Sequence, residues 1–217
     1  MSFVFSKIQM TELIFLAFPF LLYSACMTGH YLFDDMFVCP TYEPAHYLPE
    51  NPPPMQSRFL GLLLFRWTYR LVEPKAIRDK LRALFMDERE TPWIEPPQPP
   101  YWTRLWPHHA VNCMLHGMNT IILYWLLASV FPLHRAYLAA WIFAVHPVQA
   151  GSVCYLSGRS GMLAFLFAGS AMLIALQGRW ELFPLAIVSG MLSRYGKEDG
   201  VLVLGWFALL LISFSKG

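Results

Sequence analysis

Charged side chains are scarce in this chain. Asp, Glu, Lys and Arg make up 14% of its 217 residues, whereas soluble globular domains carry about 25%. Hydrophobic residues make up 56% and the mean hydropathy is +0.42, so the polar side chains are too few to cover a water-exposed surface. The natural solvent for such a chain is a lipid bilayer. A net charge of only +2 offers no basic surface, and we expect no nucleic-acid partner.

Motifs of common enzymes and metal proteins are also missing. The sequence contains no Gly-rich phosphate loop, no serine-hydrolase elbow and no HExxH zinc motif. Its four cysteines, at positions 26, 39, 113 and 154, have neither CxxC nor Cys/His metal spacing. We therefore expect no metal site, and we interpret the cysteines as small structural thiols, mostly buried in apolar segments.

Long apolar runs dominate what is present. A membrane-spanning helix needs about 20 mostly apolar residues. The six candidate spans are residues 13–33, 110–131, 136–153, 161–176, 180–192 and 201–214. The last three are short and require flanking residues or a thinner bilayer. We predict an all-α, multi-pass integral membrane protein that forms a single membrane domain over residues 1–217.

Residues 34–108 hold most of the charge and proline. Two Pro-rich connectors, LPENPPPMQ and TPWIEPPQPPYW, flank two helical patterns, SRFLGLLLFRWTYRLVE and PKAIRDKLRALFMDERE. Mixed basic and aromatic residues suit helices that lie in the headgroup layer. We predict a Pro-rich outer loop with two amphipathic surface helices, followed by a helical bundle over 110–217. A small positive-inside bias, with Lys7 in the cytoplasm, puts this loop on the non-cytoplasmic side.

Polar groups at and within the spans are the candidates for chemistry. Asp34 and Asp35 follow the first span, where carboxylates are costly unless they are hydrated or functional. One of them is a candidate general base toward an acceptor hydroxyl, and a hydrated Asp pair at a helix end is the alternative. In the second span Asn112, His116 and Asn119 share one helical stripe, which suits either a site or interhelical hydrogen bonds.

The polar stretch AVHPVQAGSVCYLSGRSG separates two apolar segments. Pro147 is expected to break the helix near His146, and Gly residues at 151, 158 and 161 allow a sharp turn. Ser157 is a candidate N-cap for the next helix. Arg159 suits either a phosphate, through paired hydrogen bonds, or lipid headgroups.

A second polar stretch, SRYGKEDG, occupies residues 193–200. It places Arg194, Lys197, Glu198 and Asp199 at another helix boundary. By itself it would be an ordinary polar turn.

Taken in order, these motifs resemble the GT-C superfamily of membrane glycosyltransferases. The closest resemblance is to O-mannosyltransferase-like proteins with tetratricopeptide repeats downstream. It rests on FDD after the first span, VNCMLH in the second, FAVHPVQ followed by SGR, and finally LS followed by KEDG, and it covers about Phe33 to Lys216. It implies transfer of a sugar from a polyprenyl-phosphate carrier to an acceptor at the outer or luminal face.

The resemblance also implies roles for individual residues. These are Asp34 or Asp35 as general base, His146, Arg159 and Lys197 around the carrier phosphate, and Asn112, His116 and Glu198 in support. Cations beside the phosphate would stabilise the leaving group as its charge develops. The chain departs from the family pattern at Gly151, where the family has a Glu, and by an extra Arg-Tyr-Gly before Lys197.

Two functions, one enzymatic and one not, are consistent with these motifs. The absent Glu and the short chain favour a truncated, non-catalytic accessory subunit of a larger membrane complex, with an aromatic-rich loop that contacts lipids and other membrane subunits. The alternative is a polyprenyl-phosphate-sugar-dependent glycosyltransferase, alone or completed by a partner chain. A small transporter is a third option, but the sequence shows no repeat symmetry.

Overall fold

The computed structural model describes residues 10–25, the helical positions 60, 61, 63, 64, 67 and 68, the continuous range 106–197, and positions 200, 202 and 205. Every regular element in these ranges is helical, with no strand among them. The all-α prediction is therefore confirmed for the described residues. Asp34, Asp35, Glu198, the second surface helix and most of the last predicted span lie outside them.

Six α-helices have both bounds within the described residues, in addition to the helical positions between 60 and 68 and from 200 to 205. They are α1 (Met10–Leu22), α2 (Trp106–Ala128), α3 (Leu133–Val145), α4 (Ala150–Val153), α5 (Arg159–Ala175) and α6 (Phe183–Gly196). Short 3-10 turns, Pro147–Gln149 and Trp180–Leu182, precede α4 and α6. Helix α2 is central, because it packs against α1, α3 and α5, while α6 packs against α5.

Proline divides the third predicted span. His146 has an extended backbone (φ −64°, ψ 130°) and ends α3, as expected for a residue that precedes proline. The break predicted near His146 is thus confirmed, and the apolar run that follows it forms a 3-10 turn and the one-turn helix α4. The run 136–153 is therefore two helices and not one.

The start of α5 differs from the sequence prediction. The N-cap is Gly158 and makes no side-chain capping bond, so the expected cap at Ser157 is wrong. Gly158 has an ordinary right-handed φ of −60°, but a Cβ there would overlap the Ser152 carbonyl oxygen. Glycine is needed because the turn closes on itself at this point. By contrast, a Cβ at Gly151 or Gly161 would meet nothing within 4 Å.

The two hydrophobic clusters lie at opposite ends of the bundle. One cluster contains Tyr23, Cys113, Leu115, Val153, Met162 and Leu163. The other contains Phe15, Tyr124, Ala136 and Ala140. Successive long helices therefore run antiparallel, and the first cluster marks what we call the bend end: the end of α1, the start of α2, the end of α3, the start of α5 and the end of α6.

Small residues let the helices approach closely. A Cβ on Gly117 would lie 2.9 Å from Leu16 Cα in α1, and one on Gly196 would lie 2.7 Å from Ala164 N in α5. Ser193 Oγ also donates a hydrogen bond to Ala164 O at 2.8 Å. Backbone contact through Gly and Ser is the packing mode that membrane helices favour.

Helix length separates α2 from the other apolar helices. Among the described residues only α2, with 23 residues, is long and apolar enough to cross a bilayer, while α1, α3 and α5 are apolar but have 10–17 residues. A single such helix also occurs in the core of soluble proteins. The six-span arrangement thus stays a prediction.

Candidate functional site at the turn between α3 and α5

Three short elements form the turn that carries the His-Pro and Ser-Gly-Arg residues. The side chain of His146 is exposed, and its Nδ1 accepts a hydrogen bond from Val148 N at 3.2 Å. The 3-10 turn and α4 follow, and residues 154–158 lead into α5. The turn lies at the bend end of the bundle, because Val153 belongs to the cluster there.

Arg159 is buried beneath this turn. Its side chain is 1% exposed. The guanidinium Nε donates a hydrogen bond to Asn112 Oδ1 at 2.9 Å, and Nη2 donates to the His108 carbonyl oxygen at 2.9 Å. A buried charge is tolerated only when it is hydrogen-bonded, and these bonds join the first residue of α5 to the first two turns of α2.

Asn112 completes the connection from the other side. Its Nδ2 donates hydrogen bonds to Val153 O at 3.1 Å and to Tyr155 O at 2.8 Å. Since its Oδ1 accepts from Arg159, one fully buried amide contacts α4, the turn and α5 together. We call Asn112, Arg159 and the carbonyl groups that they bind the buried clamp.

The other two residues of the α2 stripe bond to backbone carbonyl groups as well. His116 Nε2 lies 3.1 Å from Ala144 O at the end of α3, and Asn119 Nδ2 donates to Met162 O in α5 at 3.0 Å. All three side chains of the stripe are buried. The stripe therefore makes the interhelical bonds that the sequence allowed as one of its two interpretations.

The order of the helices places two further residues of the sequence motifs, His146 and Lys197, at the bend end of the bundle. His146 follows α3, and Lys197 follows α6, whose end is joined to α5 by the Ser193 bond to Ala164. Asp34, Asp35 and Glu198 lie outside the described residues. The catalytic and phosphate-binding roles of these residues stay predictions.

Sequence reasoning overlooked two residues next to the clamp. His108 supplies the carbonyl group that Arg159 binds, and the His108 and His109 side chains are both buried. The sequence HHAVN (residues 108–112) contained a usable signal. His108 precedes Asn112 by one helical turn in a mostly apolar helix, so the two residues are expected on the same face.

Part of the predicted first surface helix also reaches the bend end. The described positions from 60 to 68 are helical, and Thr68 Oγ1 donates to Leu64 O at 2.8 Å, one turn earlier. A Cβ on Gly61 would overlap the Ser160 side chain at the start of α5. This segment therefore packs against the residue that directly follows Arg159.

The cysteines differ in their covalent state. Cys113 is buried and free, as predicted. Cys154, in the turn, is disulfide-bonded, so its interpretation as a free structural thiol is wrong. The spacing of the cysteines did not predict this disulfide, because its formation depends on which distant segments meet in space. The described residues contain no group of three or more His, Cys, Asp or Glu side chains that could hold a metal ion.

Comparison with known proteins supports a glycosyltransferase-like relationship. Over 101 residues, 45% of this chain, the sequence is 30% identical to a protein O-mannosyl-transferase of Caenorhabditis elegans. The chain spans 14% of the length of that relative. No family model matches the sequence, and no solved structure matches it. Assignment to the GT-C superfamily therefore stays a prediction.

Proposed function

We propose that this chain is a membrane-embedded glycosyltransferase module that transfers a sugar from a polyprenyl-phosphate carrier to an acceptor hydroxyl. The main support is the buried clamp. It fixes the His-Pro to Ser-Gly-Arg turn against Asn112, which joins the second and third motifs of the resemblance. The similarity to an O-mannosyl-transferase favours mannose as the sugar.

Exposed apolar surface supports embedding in a bilayer through several helices. Large hydrophobic side chains are exposed on α1 (Leu13, Ile14, Leu21), α3 (Leu133, Leu138, Ile142) and α6 (Leu185, Ile187, Val188, Met191). Several large apolar side chains exposed on each of three helices are typical of a surface that lipid or another protein covers. We propose that lipid covers these faces and that the short helices cross with help from flanking residues.

The proposed reaction is a displacement at the anomeric carbon of the carrier-bound sugar. The acceptor oxygen bonds to this carbon, the bond from carbon to phosphate oxygen breaks, and the polyprenyl phosphate leaves. Asp34 or Asp35 takes the proton of the acceptor hydroxyl. The Lys197 ammonium lies at the same end of the bundle, where a cation stabilises the departing phosphate, and His146 offers a hydrogen bond there. Arg159, whose Nε and Nη2 already bind protein oxygens, acts by positioning the turn.

A transfer assay tests this proposal. The full chain, in lipid nanodiscs, is given radiolabelled polyprenyl-phosphate mannose and a peptide rich in Ser and Thr. Loss of a general base lowers rates by about 100-fold or more, so Asp34→Asn or Asp35→Asn abolishes most of the transfer. Asp87→Asn, the same change elsewhere in the loop, is the matched control and keeps full activity. Absence of transfer in the unaltered chain, or equal activity of all three variants, overturns the proposal.

A non-catalytic accessory subunit is the second candidate, and Gly151 is the observation that favours it. Gly151 replaces the acidic residue that the resemblance implies, and its surroundings are open, with nothing within 4 Å of an added Cβ. A side chain can therefore begin at this position without displacing other groups. If the acid was lost, the unaltered chain is inactive and co-purifies with partner subunits at fixed stoichiometry, while Gly151→Glu restores transfer and Gly151→Gln does not. A stable, monodisperse monomer with transfer activity contradicts this candidate.

A further inference from the structure

The disulfide at Cys154 lies inside the buried clamp. Cys154 is flanked by Val153 and Tyr155, whose carbonyl groups both accept hydrogen bonds from Asn112. The backbone on both sides of the cysteine is therefore held in place. Cys154 is disulfide-bonded, and its partner is not Cys113, which is free.

Two cysteines of this chain remain as candidate disulfide partners of Cys154. The sequence contains four cysteines, so the candidates for the partner within this chain are Cys26 and Cys39, both outside the described residues. Both follow α1 in the sequence, and the pair Asp34–Asp35 lies between them. Tyr23, just after α1, packs in the same cluster as Val153, which shows that the chain leaves α1 at the bend end.

We infer that this disulfide ties the Arg159 turn to the segment that carries the aspartate pair, and that the bend end faces an oxidising compartment. Cys154 is then a positioning residue, which limits how far the two aspartates can move from the clamp. The disulfide itself stands apart from the proposed function. Its meaning for catalysis, and the sidedness across a membrane, rest on that function.

The disulfide indicates the orientation of the chain independently of charge. Arg135 and Arg179 lie at the connections opposite the bend end, while Arg194 and Lys197 lie at the bend end itself. These four groups divide two and two, so the described connections add nothing to the small positive-inside bias that Lys7 contributes. Disulfides persist in oxidising spaces and are rare in the cytosol. This places the turn on the luminal or outer side and Arg179 on the cytosolic side.

Formation of the bond follows thiol–disulfide exchange. A thiolate of one cysteine attacks a disulfide oxidant, such as glutathione disulfide or an oxidoreductase, and forms a mixed disulfide. The second cysteine thiolate displaces the oxidant. The two chain thiols lose two electrons and two protons, and the oxidant is reduced to two thiols.

Counting thiols in the full chain tests the bond. Membranes are denatured without reductant and treated with maleimide-polyethylene glycol, which adds one mass step for each free thiol. We expect two modified thiols before reduction and four after it. Cys154→Ser yields three in both cases, and so does substitution of the true partner, Cys26→Ser or Cys39→Ser. Substitution of the cysteine that is not the partner yields one before reduction. Cys113→Ala, the control, also leaves one.

Four reactive thiols before reduction would overturn the inference, as would a Cys154 peptide linked to Cys113 or to a second copy of the chain. If transfer activity persists while the disulfide is absent, only this inference fails. If the disulfide is present but neither transfer nor its restoration through Gly151→Glu is observed, the proposed function fails, while the disulfide link between the Arg159 turn and the segment after α1 stands.

Sidedness is tested with two exposed reporter positions. Val148 lies in the turn and Trp180 at the opposite end, and both are largely exposed. In sealed microsomes an impermeant maleimide should label Trp180→Cys from the cytosolic side, and Val148→Cys only after the membrane is opened. The reverse pattern refutes the orientation. Labelling of both positions in intact microsomes contradicts the proposed membrane crossing.

Discussion

Replacing Asn112 by alanine should loosen the turn more than any comparable change in α2. The variant loses two bonds to neutral carbonyl groups and one bond from the Arg159 guanidinium. Neutral hydrogen bonds contribute about 1 kcal/mol each and those to charged groups about 1.5–3 kcal/mol. The free energy of unfolding should therefore fall by about 4 kcal/mol. If each bond has only the lower value found between membrane helices, about 0.6 kcal/mol, the loss is about 2 kcal/mol.

Asn119→Ala is the matched control, because it removes the same atoms from the same buried stripe. Asn119 makes one hydrogen bond through Nδ2, to Met162 O, and its Oδ1 has no hydrogen-bond partner. Its loss should cost about 1 kcal/mol. Both substitutions remove the same atoms from buried positions, so the difference between the two variants, about 1–3 kcal/mol, reports mainly the additional bonds of the clamp.

Two measurements check this difference. Denaturant unfolding in detergent micelles, followed by circular dichroism, gives the loss for each variant. Tryptic cleavage after Arg159 reports the turn itself, because that side chain is 1% exposed when the clamp is formed. Cleavage should be faster in Asn112→Ala than in Asn119→Ala. Equal losses of stability, together with equal protection of Arg159, would refute the clamp.

Three further changes are measured by the same unfolding assay. Gly117→Ala should lower the free energy of unfolding by about 1–3 kcal/mol, because the added Cβ meets the backbone of α1 at 2.9 Å. Gly161→Ala, at a position in α5 with open space around it, should raise the free energy of unfolding by up to about 1 kcal/mol. Similar values for the two variants would contradict the close contact at Gly117. Gly178→Ala should cost about 1–2 kcal/mol, since φ is +65° there, and no loss would show that the turn adopts another conformation. Trp125→Phe removes the hydrogen bond from Nε1 to Glu12 Oε1 at 3.0 Å and should lower the free energy of unfolding by about 2 kcal/mol. Adding Glu12→Gln to this variant should cause little further loss. If the losses of the two single variants simply add, the hydrogen bond between Trp125 and Glu12 is excluded.

Features set by local chemistry were predictable. The apolar run with its polar stripe predicted a span over 110–131, and α2 covers most of it, starting earlier at Trp106. The break near His146 followed from the missing N–H and the ring of Pro147. The helical pattern that begins at Ser57 agrees with the helical positions from 60 to 68. In each case the residues that determine the structure are neighbours in the sequence.

The candidate site was only partly predictable. Asn112 and Arg159 were selected from the sequence, but their mutual hydrogen bond joins residues 47 positions apart. The sequence favoured a phosphate or lipid headgroup as the partner of Arg159, while in the structure its Nε and Nη2 bind protein oxygens. The cap at Gly158 was missed for a similar reason, since the close Ser152 carbonyl appears only once the turn has closed.

Composition and periodicity by themselves determined that this chain is helical and apolar and that its helices are interrupted at Pro147, because these properties depend on each residue and its near neighbours. Only the tertiary structure decided that Arg159 is buried under the turn, that Asn112 binds three groups at once and that Cys154 is oxidised. Those outcomes depend on which helix ends meet in space. That meeting is set by antiparallel packing around α2, which no single segment of the sequence encodes.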